Sequence, residues 1–158
     1  MPHARYPHLF DEGSIKGVTM KNRLVLPSMC DNMSDREGRV TDQKVAYFRR
    51  RAEGGVGWIN LGYAYITPRG RGCTYFQVGI YDDDLIPGLR RLTDTVHSYD
   101  VRMGSQIAHA GNATKTPSHA VIATPTARRR VSCALSSMAP LVCGVQWPHD
   151  KLAATTSQ

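Results

Sequence analysis

Three side chains with chemical capability stand in or just after apolar runs. Cys30 follows the run at residues 23–27, and its thiol could serve as a nucleophile, a redox sensor or a hydrogen-bond donor, or it could be a small buried apolar residue. Gln106 lies inside a later run, where a buried amide must bond either a ligand or a neighbouring backbone group. His109 ends that run, which suits a ligand contact or a bond that organises the loop.

The sequence gives no sign of metal, disulfide or phosphate-loop chemistry. The four cysteines, at positions 30, 73, 133 and 143, form no C-x-x-C pair and no zinc spacing. No G-x-G-x-x-G follows the first apolar run, and no G-x-x-x-x-G-K-[ST] occurs. We therefore expect neither a structural metal nor a disulfide framework.

Three continuous apolar segments predict the strands of a parallel sheet, buried on both faces. They span residues 23–27, 56–61 and 101–108. A short hairpin or a loop is predicted before them, over residues 9–20, with Gly13 and Gly17 as its turn residues. The polar side chains follow the carboxyl ends of the strands, and both open α/β sheets and closed barrels place their active sites at that edge.

Two helices are predicted between these strands. Thr41 is a suitable N-cap for the first helix, which the glycine pair 54–55 ends. Residues 82–84 are all aspartates that offer capping oxygens to the second helix, which tolerates Pro87 in its first turn. Alternating strands and helices indicate an α/β fold with a parallel sheet. The predicted buried stripe of the second helix consists of Ile86, Leu89, Leu92, Val96 and Tyr99.

Length and composition exclude several classes of protein. With 158 residues, 41% of them hydrophobic and 21% charged, the chain suits one ordinary domain. No apolar run reaches the roughly 20 residues of a membrane helix, and no secretory segment is apparent, so we expect a cytoplasmic protein without a membrane partner. The net charge is +7, and residues 128–130 form a cluster of three arginines. This cluster lacks the interleaved aromatic residues that are typical of nucleic-acid binding. No nucleic-acid partner is expected.

The end of the chain differs from the rest. Residues 121–158 contain four basic residues against one acidic residue and show no sustained strand or helix period. We therefore divide the chain into residues 1–120, which carry the fold, and residues 121–158, a divergent tail expected to be disordered or aberrant. A natural flexible extension and an out-of-frame continuation of a truncated domain both account for such a tail.

Four motifs resemble the amino-terminal part of the old yellow enzyme family, which includes NADH:flavin oxidoreductases, 2,4-dienoyl-CoA reductases and enoate reductases. They are KNRLVLPSMC at 21–30, AEGGVG at 52–57, LTDTVH at 92–97 and QIAHAG at 106–111. The resemblance covers residues 8–118. It implies a partial (β/α)8 TIM barrel with FMN at its carboxyl face, represented here by the first three β/α units and followed by the irregular tail.

The resemblance also implies a set of flavin contacts. Cys30 matches a position beside the flavin that is cysteine in one branch and threonine in another, where the side chain tunes the flavin's electronics. Gln106 matches a glutamine that hydrogen-bonds the pyrimidine edge, and His109 matches the histidine of an H-x-G motif on the substrate side. Tyr63 or Gly62 matches the small residue usually found under the ring, where a tyrosine would be a departure that crowds the ring, and Asn112 stands where arginine is frequent. The implied cofactor-binding residues are Pro27, Ser28, Met29, Cys30, Gly62, Tyr63 and Gln106.

The implied activity is hydride transfer from NAD(P)H to FMN and from FMN to a small-molecule activated alkene or enoate. The family's substrate-binding pair, tyrosine proton donor and flavin-facing arginine come later than this chain reaches, so no catalytic residue is assigned and an inactive, truncated fragment is expected. The alternative is a non-enzymatic α/β interaction module that associates, also with itself, through exposed sheet edges. Bound flavin separates these two functions.

Overall fold

The computed structural model describes residues 5–72, 74–111, 114 and 143–145. Two short 3-10 turns, Pro68–Gly70 and Asp83–Leu85, supplement the helices and strands. In chain order these are β1 (Gly13–Ile15), β2 (Val18–Met20), β3 (Val25–Leu26), α1 (Asp42–Glu53), β4 (Trp58–Tyr65), α2 (Ile86–His97), β5 (Arg102–Ala108) and β6 (Cys143–Val145).

The predicted hairpin is confirmed as the antiparallel pair β1 and β2. Its two central residues, Lys16 and Gly17, both have positive φ, 45° and 82°, which matches the twist of the flanking strands. Gly13 lies within β1 instead of in the turn, so its predicted role as a turn residue is wrong.

The second sheet has the order β3-β4-β5-β6, and all of its strands are parallel. The α/β fold with a parallel sheet is therefore confirmed. Strand β3 corresponds to the strand predicted at residues 23–27 and is shorter than predicted. The prediction that this strand is buried on both faces is wrong, because Val25 is 48% exposed. Within the described part of the chain, β3 is an edge strand, and Val25 is in register with Trp58 on the face opposite the helices.

The first helix begins and ends as predicted. The Thr41 side chain accepts a hydrogen bond from the Lys44 N–H, and Gly54 caps the carboxyl end. The aspartate run acts differently: Asp82 caps the 3-10 turn that precedes α2, and α2 itself has no side-chain cap. Pro87 lies in the first turn of α2, where its missing N–H would have had no partner in the helix.

The core lies between the two helices and one face of the sheet. Leu89, Leu92 and Val96 of the predicted α2 stripe are buried, whereas Ile86 and Tyr99 are half-buried. The three buried residues pack with sheet residues and α1 residues in one cluster, and Tyr99 packs against it. The main members from those elements are Phe48, Ala52, Ile59, Leu61, Ala64 and Met103.

The opposite face of the sheet carries a different set of residues. The Trp58 indole N–H donates to the Asn60 side-chain oxygen over 2.8 Å, and a Cβ on Gly104 would lie 2.4 Å from that oxygen. Because side chains alternate along a strand, these residues share the face that α1 and α2 do not cover. Over the described residues, no helix is both long and apolar enough to cross a membrane.

The predicted tail is described only at Cys143–Val145, which pair in parallel with β5, with Ser105 opposite Cys143. The other residues of 121–158, and Asn112, lie outside the described residues. The division of the chain at residue 120 stays a prediction.

Candidate functional site

The segment after β3 continues alongside β4. Pro27 and Met29 are exposed, whereas Ser28 and Cys30 are half-buried. Cys30 forms an isolated parallel bridge with Gly62 of β4. The structure therefore places Cys30 and Gly62 side by side at the carboxyl edge of the sheet.

A bulge in β4 brings three predicted site residues together. Leu61 pairs with Ser105, but the next registered pair is Ala64 with Ile107. Gly62 and Tyr63 thus stand together opposite the single residue Gln106 of β5. Bulges of this kind re-aim side chains and occur frequently beside active sites.

Gly62 has no room for a side chain. A Cβ at this position would lie 2.2 Å from the Ser28 Cβ and 2.8 Å from the Ser28 Cα. Because one of these atoms belongs to the backbone, rotation of the serine side chain could not relieve the contact. Glycine at position 62 is what allows the segment 27–30 to lie directly against β4.

The Cys30 thiol belongs to a small polar group shared by two loops. It donates a hydrogen bond to the Asn32 side-chain oxygen over 3.2 Å. Thr74, in the loop after β4, donates its hydroxyl to the same oxygen over 2.6 Å. Asn32 adopts a positive φ of 55°, which asparagine tolerates better than most residues. The thiol is therefore part of a hydrogen-bonded contact between the loops that follow β3 and β4.

His109 organises its own loop. Its Nδ1 accepts a hydrogen bond from the Gly111 N–H over 3.0 Å, so the neutral ring carries its proton on Nε2. A Cβ on Gly70 would lie 2.5 Å from the ring carbon Cδ2, and the Ala110 N–H donates to the Gly70 carbonyl over 2.9 Å. These contacts connect the end of β5 to the loop after β4. His109 therefore makes the loop-organising bond that the sequence offered as one of its two roles.

Tyr65 and Tyr81 connect the loop after β4 to the loop after β3. Both hydroxyls donate to the Glu37 carbonyl oxygen, over 3.1 Å and 2.9 Å, and the two rings stack with centroids 5.3 Å apart. The Arg71 guanidinium donates to the Tyr65 hydroxyl over 2.6 Å. Burial raises the pKa of Tyr65 to about 12, because the charged form is desolvated, and Arg71 opposes this shift.

This raised pKa predicts a loss of stability at high pH. The unfolded chain releases the Tyr65 proton near pH 10, before the folded chain does, so the Tyr65 contribution is intact below that pH and is lost as pH rises through about 12. We expect Tyr65→Phe to be less stable than the wild type at pH 8, with a difference that narrows toward pH 12. Urea unfolding across this range measures it, and a constant difference would contradict the assignment.

The sequence analysis missed a buried ion pair at the base of the first loop. Lys44 on α1 donates to both carboxylate oxygens of Asp31, over 2.6 Å for Oδ2, and the two side chains are only 1% and 3% exposed. Burial lowers the pKa of Lys44, and the Asp31 carboxylate opposes that shift. One signal was present: Lys44 stands four residues before Phe48, on the buried face of the helix.

Gln77 is a second residue that the sequence analysis missed. It is buried in the loop after β4, where its Nε2 donates to the Tyr63 carbonyl over 2.9 Å and its Oε1 accepts from the Gly72 N–H over 3.1 Å. The amide therefore connects the loop directly to the bulge. The sequence did contain one sign of this role, because Gln77 is the lone polar residue within the apolar segment 75–81.

The site combines an amide with exposed apolar surface. Gln106 offers both donor and acceptor atoms, and the loops beside it expose Met29, Tyr75 and Phe76. Such a combination suits a flat, largely apolar ring with one polar edge. Within the described ranges, no group of three or more His, Cys, Asp or Glu side chains is arranged to hold a metal ion.

Comparison with protein families and with curated proteins finds NAD(P)H-dependent oxidoreductases. A model of the NADH:flavin oxidoreductase / NADH oxidase family matches residues 8–140. An NADH oxidase from Thermoanaerobacter brockii is 35% identical over 136 residues, which are 85% of this chain and 21% of that protein. The chain spans about a fifth to a third of the length of the curated relatives it matches.

Solved structures are similar over about two thirds to three quarters of the chain. The complex of 2-naphthoyl-CoA reductase with 2-naphthoyl-CoA matches with a TM-score of 0.65 and 30% identity, over 72% of this chain and 16% of that one. The old yellow enzyme homologue from Zymomonas mobilis matches with a TM-score of 0.63 and 26% identity, over 68% of this chain and 30% of that one. The same fold therefore occurs within much longer chains.

Proposed function

The chain belongs to the NADH:flavin oxidoreductase / NADH oxidase family, and from this membership we propose that its parallel sheet is the first part of an FMN-binding (β/α)8 barrel. The resemblance carried by the four sequence motifs is confirmed, and FMN and a nicotinamide nucleotide are the cofactors of the family. The strand order β3-β4-β5 follows the chain without reversal. This order suits the first three β/α units of a barrel, whereas a doubly wound open sheet reverses its order at a switch point.

The observation that carries the proposal is the bulge opposite Gln106. It sets Gly62 and Tyr63 opposite Gln106 in the sheet and leaves Gly62 in contact with Ser28, beside Cys30. These residues fit the ring of FMN. The Gln106 amide suits the polar pyrimidine edge of the ring, Cys30 offers a thiol, and Gly62 offers backbone without a side chain. Gly62 and Tyr63 both stand opposite Gln106 in the bulge. Because only Gly62 lacks a side chain, we assign it as the small residue beneath the ring.

Each proposed contact has a separate role. Pro27, Ser28 and Met29 line one side of the ring, Gln106 hydrogen-bonds its pyrimidine edge, and Cys30 adjusts its electronics. His109, held by its loop, is the substrate-side candidate. When bound, FMN supplies hydride transfer from NAD(P)H to an activated alkene.

The proposed substrate is a small molecule with an alkene activated by a carbonyl group, such as an enoate. Support comes from the family and from the likeness to 2-naphthoyl-CoA reductase. We place the protein in the cytoplasm, where NAD(P)H is supplied. The proposal assigns flavin binding to residues 1–120 and assigns no residue that protonates the substrate.

We expect the chain to bind FMN and Gln106→Ala to weaken that binding. Leaving a flavin polar group without its partner costs about 1–3 kcal/mol, which raises the dissociation constant roughly 5- to 150-fold. Titration of the purified chain with FMN, followed by flavin fluorescence, measures the change. Gln43→Ala is the matched control, because Gln43 is exposed on α1. Equal affinity for FMN in the wild type and Gln106→Ala would remove Gln106 from the site.

A second candidate function is an interaction module that associates with itself through its sheet edge. The observation that favours it is Val25, which is 48% exposed on the edge strand β3. Protein that binds no FMN in this titration would favour the interaction module over the flavin site.

A further inference from the structure

The buried ion pair between Asp31 and Lys44 lies next to the proposed flavin contacts without being one of them. Both side chains are almost fully buried, and Nζ reaches both carboxylate oxygens. Replacing such a pair with neutral side chains often leaves stability unchanged, because desolvation offsets the attraction between the charges. A contribution to the stability of the fold is therefore a weak explanation for the presence of this ion pair.

The pair is one of two connections between the start of α1 and the loop after Cys30, and further hydrogen bonds brace the loop and the helix cap themselves. Asp31 also accepts a hydrogen bond from the Met33 N–H over 2.9 Å. The Thr41 hydroxyl donates to the Met33 carbonyl and accepts from the Lys44 N–H over 3.2 Å. The first turn of α1 thus holds residues 31–33 at two points, and the residue that precedes this anchored segment is Cys30.

The location of Cys30 is fixed from both sides. Its bridge to Gly62 holds it against β4, and the anchored Asp31 holds it toward α1. A loop that lost the second connection would keep its bridge but gain freedom in the direction of the helix. The thiol, which also bonds the Asn32 side chain, would then occupy a wider range of positions.

We propose that Asp31 and Lys44 are positioning residues that hold the Cys30 thiol in place and thereby set the redox behaviour and affinity of a flavin they do not touch. This inference rests on the proposed function, because it assigns the ring to the Cys30 side of the sheet. It adds a buried charge pair, with one side chain from α1 and one from the loop after β3, to the residues that govern the site.

The informative variant removes both charges at once. Lys44→Met alone leaves a buried carboxylate and is expected to fold poorly, whereas Asp31→Asn with Lys44→Met leaves no net buried charge and keeps the acceptor for the Met33 N–H. The matched control is Asp42→Asn with Arg91→Met. It removes an exposed ion pair of 2.7 Å that joins α1 to α2, away from the loop.

We expect both double variants to have melting temperatures close to that of the wild type. Only the Asp31/Lys44 variant should bind FMN about tenfold or more weakly and shift the absorption bands and reduction potential of the bound flavin. A folded Asp31/Lys44 variant with wild-type flavin affinity, spectrum and potential would overturn the proposal. Equal changes in the Asp42/Arg91 control would overturn it too.

A readout without flavin separates this inference from the proposed function. Alkylation of Cys30 by iodoacetamide at pH 7.5, followed by peptide mass spectrometry, reports access to the thiol once the rate is divided by the thiolate fraction, which the pH dependence of the same rate gives. We expect this corrected rate to rise severalfold in the Asp31/Lys44 variant and to stay unchanged in the control. If the wild type binds no FMN, the proposed function fails while this rate still tests the positioning. An unchanged rate in both variants would refute it.

Discussion

Gly38→Ala should lower the free energy of unfolding by about 2–5 kcal/mol. Gly38 has a φ of +85°, a conformation that costs other residues roughly 1–2 kcal/mol. An added Cβ would also lie 2.3 Å from the Tyr65 hydroxyl oxygen and 2.8 Å from the Gly79 amide nitrogen. Such overpacking typically costs about 1–3 kcal/mol more. Urea unfolding of the purified chain measures the sum.

Gly17→Ala is the matched control for this substitution. Gly17 has nearly the same φ, +82°, but nothing lies within 4 Å of an added Cβ. Its loss should therefore be limited to the backbone cost of roughly 1–2 kcal/mol. Equal losses at positions 17 and 38 would show that Tyr65 and its loop move aside freely, and would contradict the tight packing of the two loops.

Gly62→Ala should abolish measurable FMN binding while the protein still folds. The added Cβ cannot coexist with the Ser28 Cα 2.8 Å away, so the segment after β3 must move off β4. That movement breaks the bridge between Cys30 and Gly62, and displacements of about 1 Å at a site are enough to cost it a factor of about 100. The free energy of unfolding should fall by about 1–3 kcal/mol. Fluorescence titration with FMN and urea unfolding give the two values.

Adding Ser28→Gly tests whether the contact itself is responsible. Removing the Ser28 Cβ eliminates the closest approach, 2.2 Å, but leaves the Cα in place. The double variant should therefore recover part of the stability that Gly62→Ala loses, giving a favourable coupling energy. Strictly additive losses would mean that the strain lies elsewhere.

Elements with local signals were predicted well from the sequence. The first helix has both of its ends encoded, by the Thr41 side chain and by Gly54, and both ends are confirmed. The hairpin and the parallel strands β4 and β5 also follow from short patterns. The neighbourhood of β3, β4 and β5 in the sheet required no long-range information, because within residues 25–108 each strand of this sheet pairs with the one that follows it.

The features that the sequence did not reveal depend on contacts between distant segments. The bulge at Gly62 and Tyr63 is a matter of register against β5, which alternation within one strand cannot specify. Lys44 is buried only because Asp31, thirteen residues earlier, meets it in the folded chain. The aspartate run was assigned to α2 because the patterns for capping a helix and a 3-10 turn are alike.

The shared contacts of the loops after β3 and β4 make them one cooperative unit. Ser34 donates its amide to the Phe76 carbonyl, Gly79 donates to the Gly38 carbonyl, each over 3.0 Å, and Tyr65 bonds the backbone between them. Neither loop can open to solvent without breaking bonds that protect the other, so their amides share one opening free energy. An insertion or deletion between the bonded residues of one loop would separate these partners, so it should also weaken the protection of the amides in the other loop.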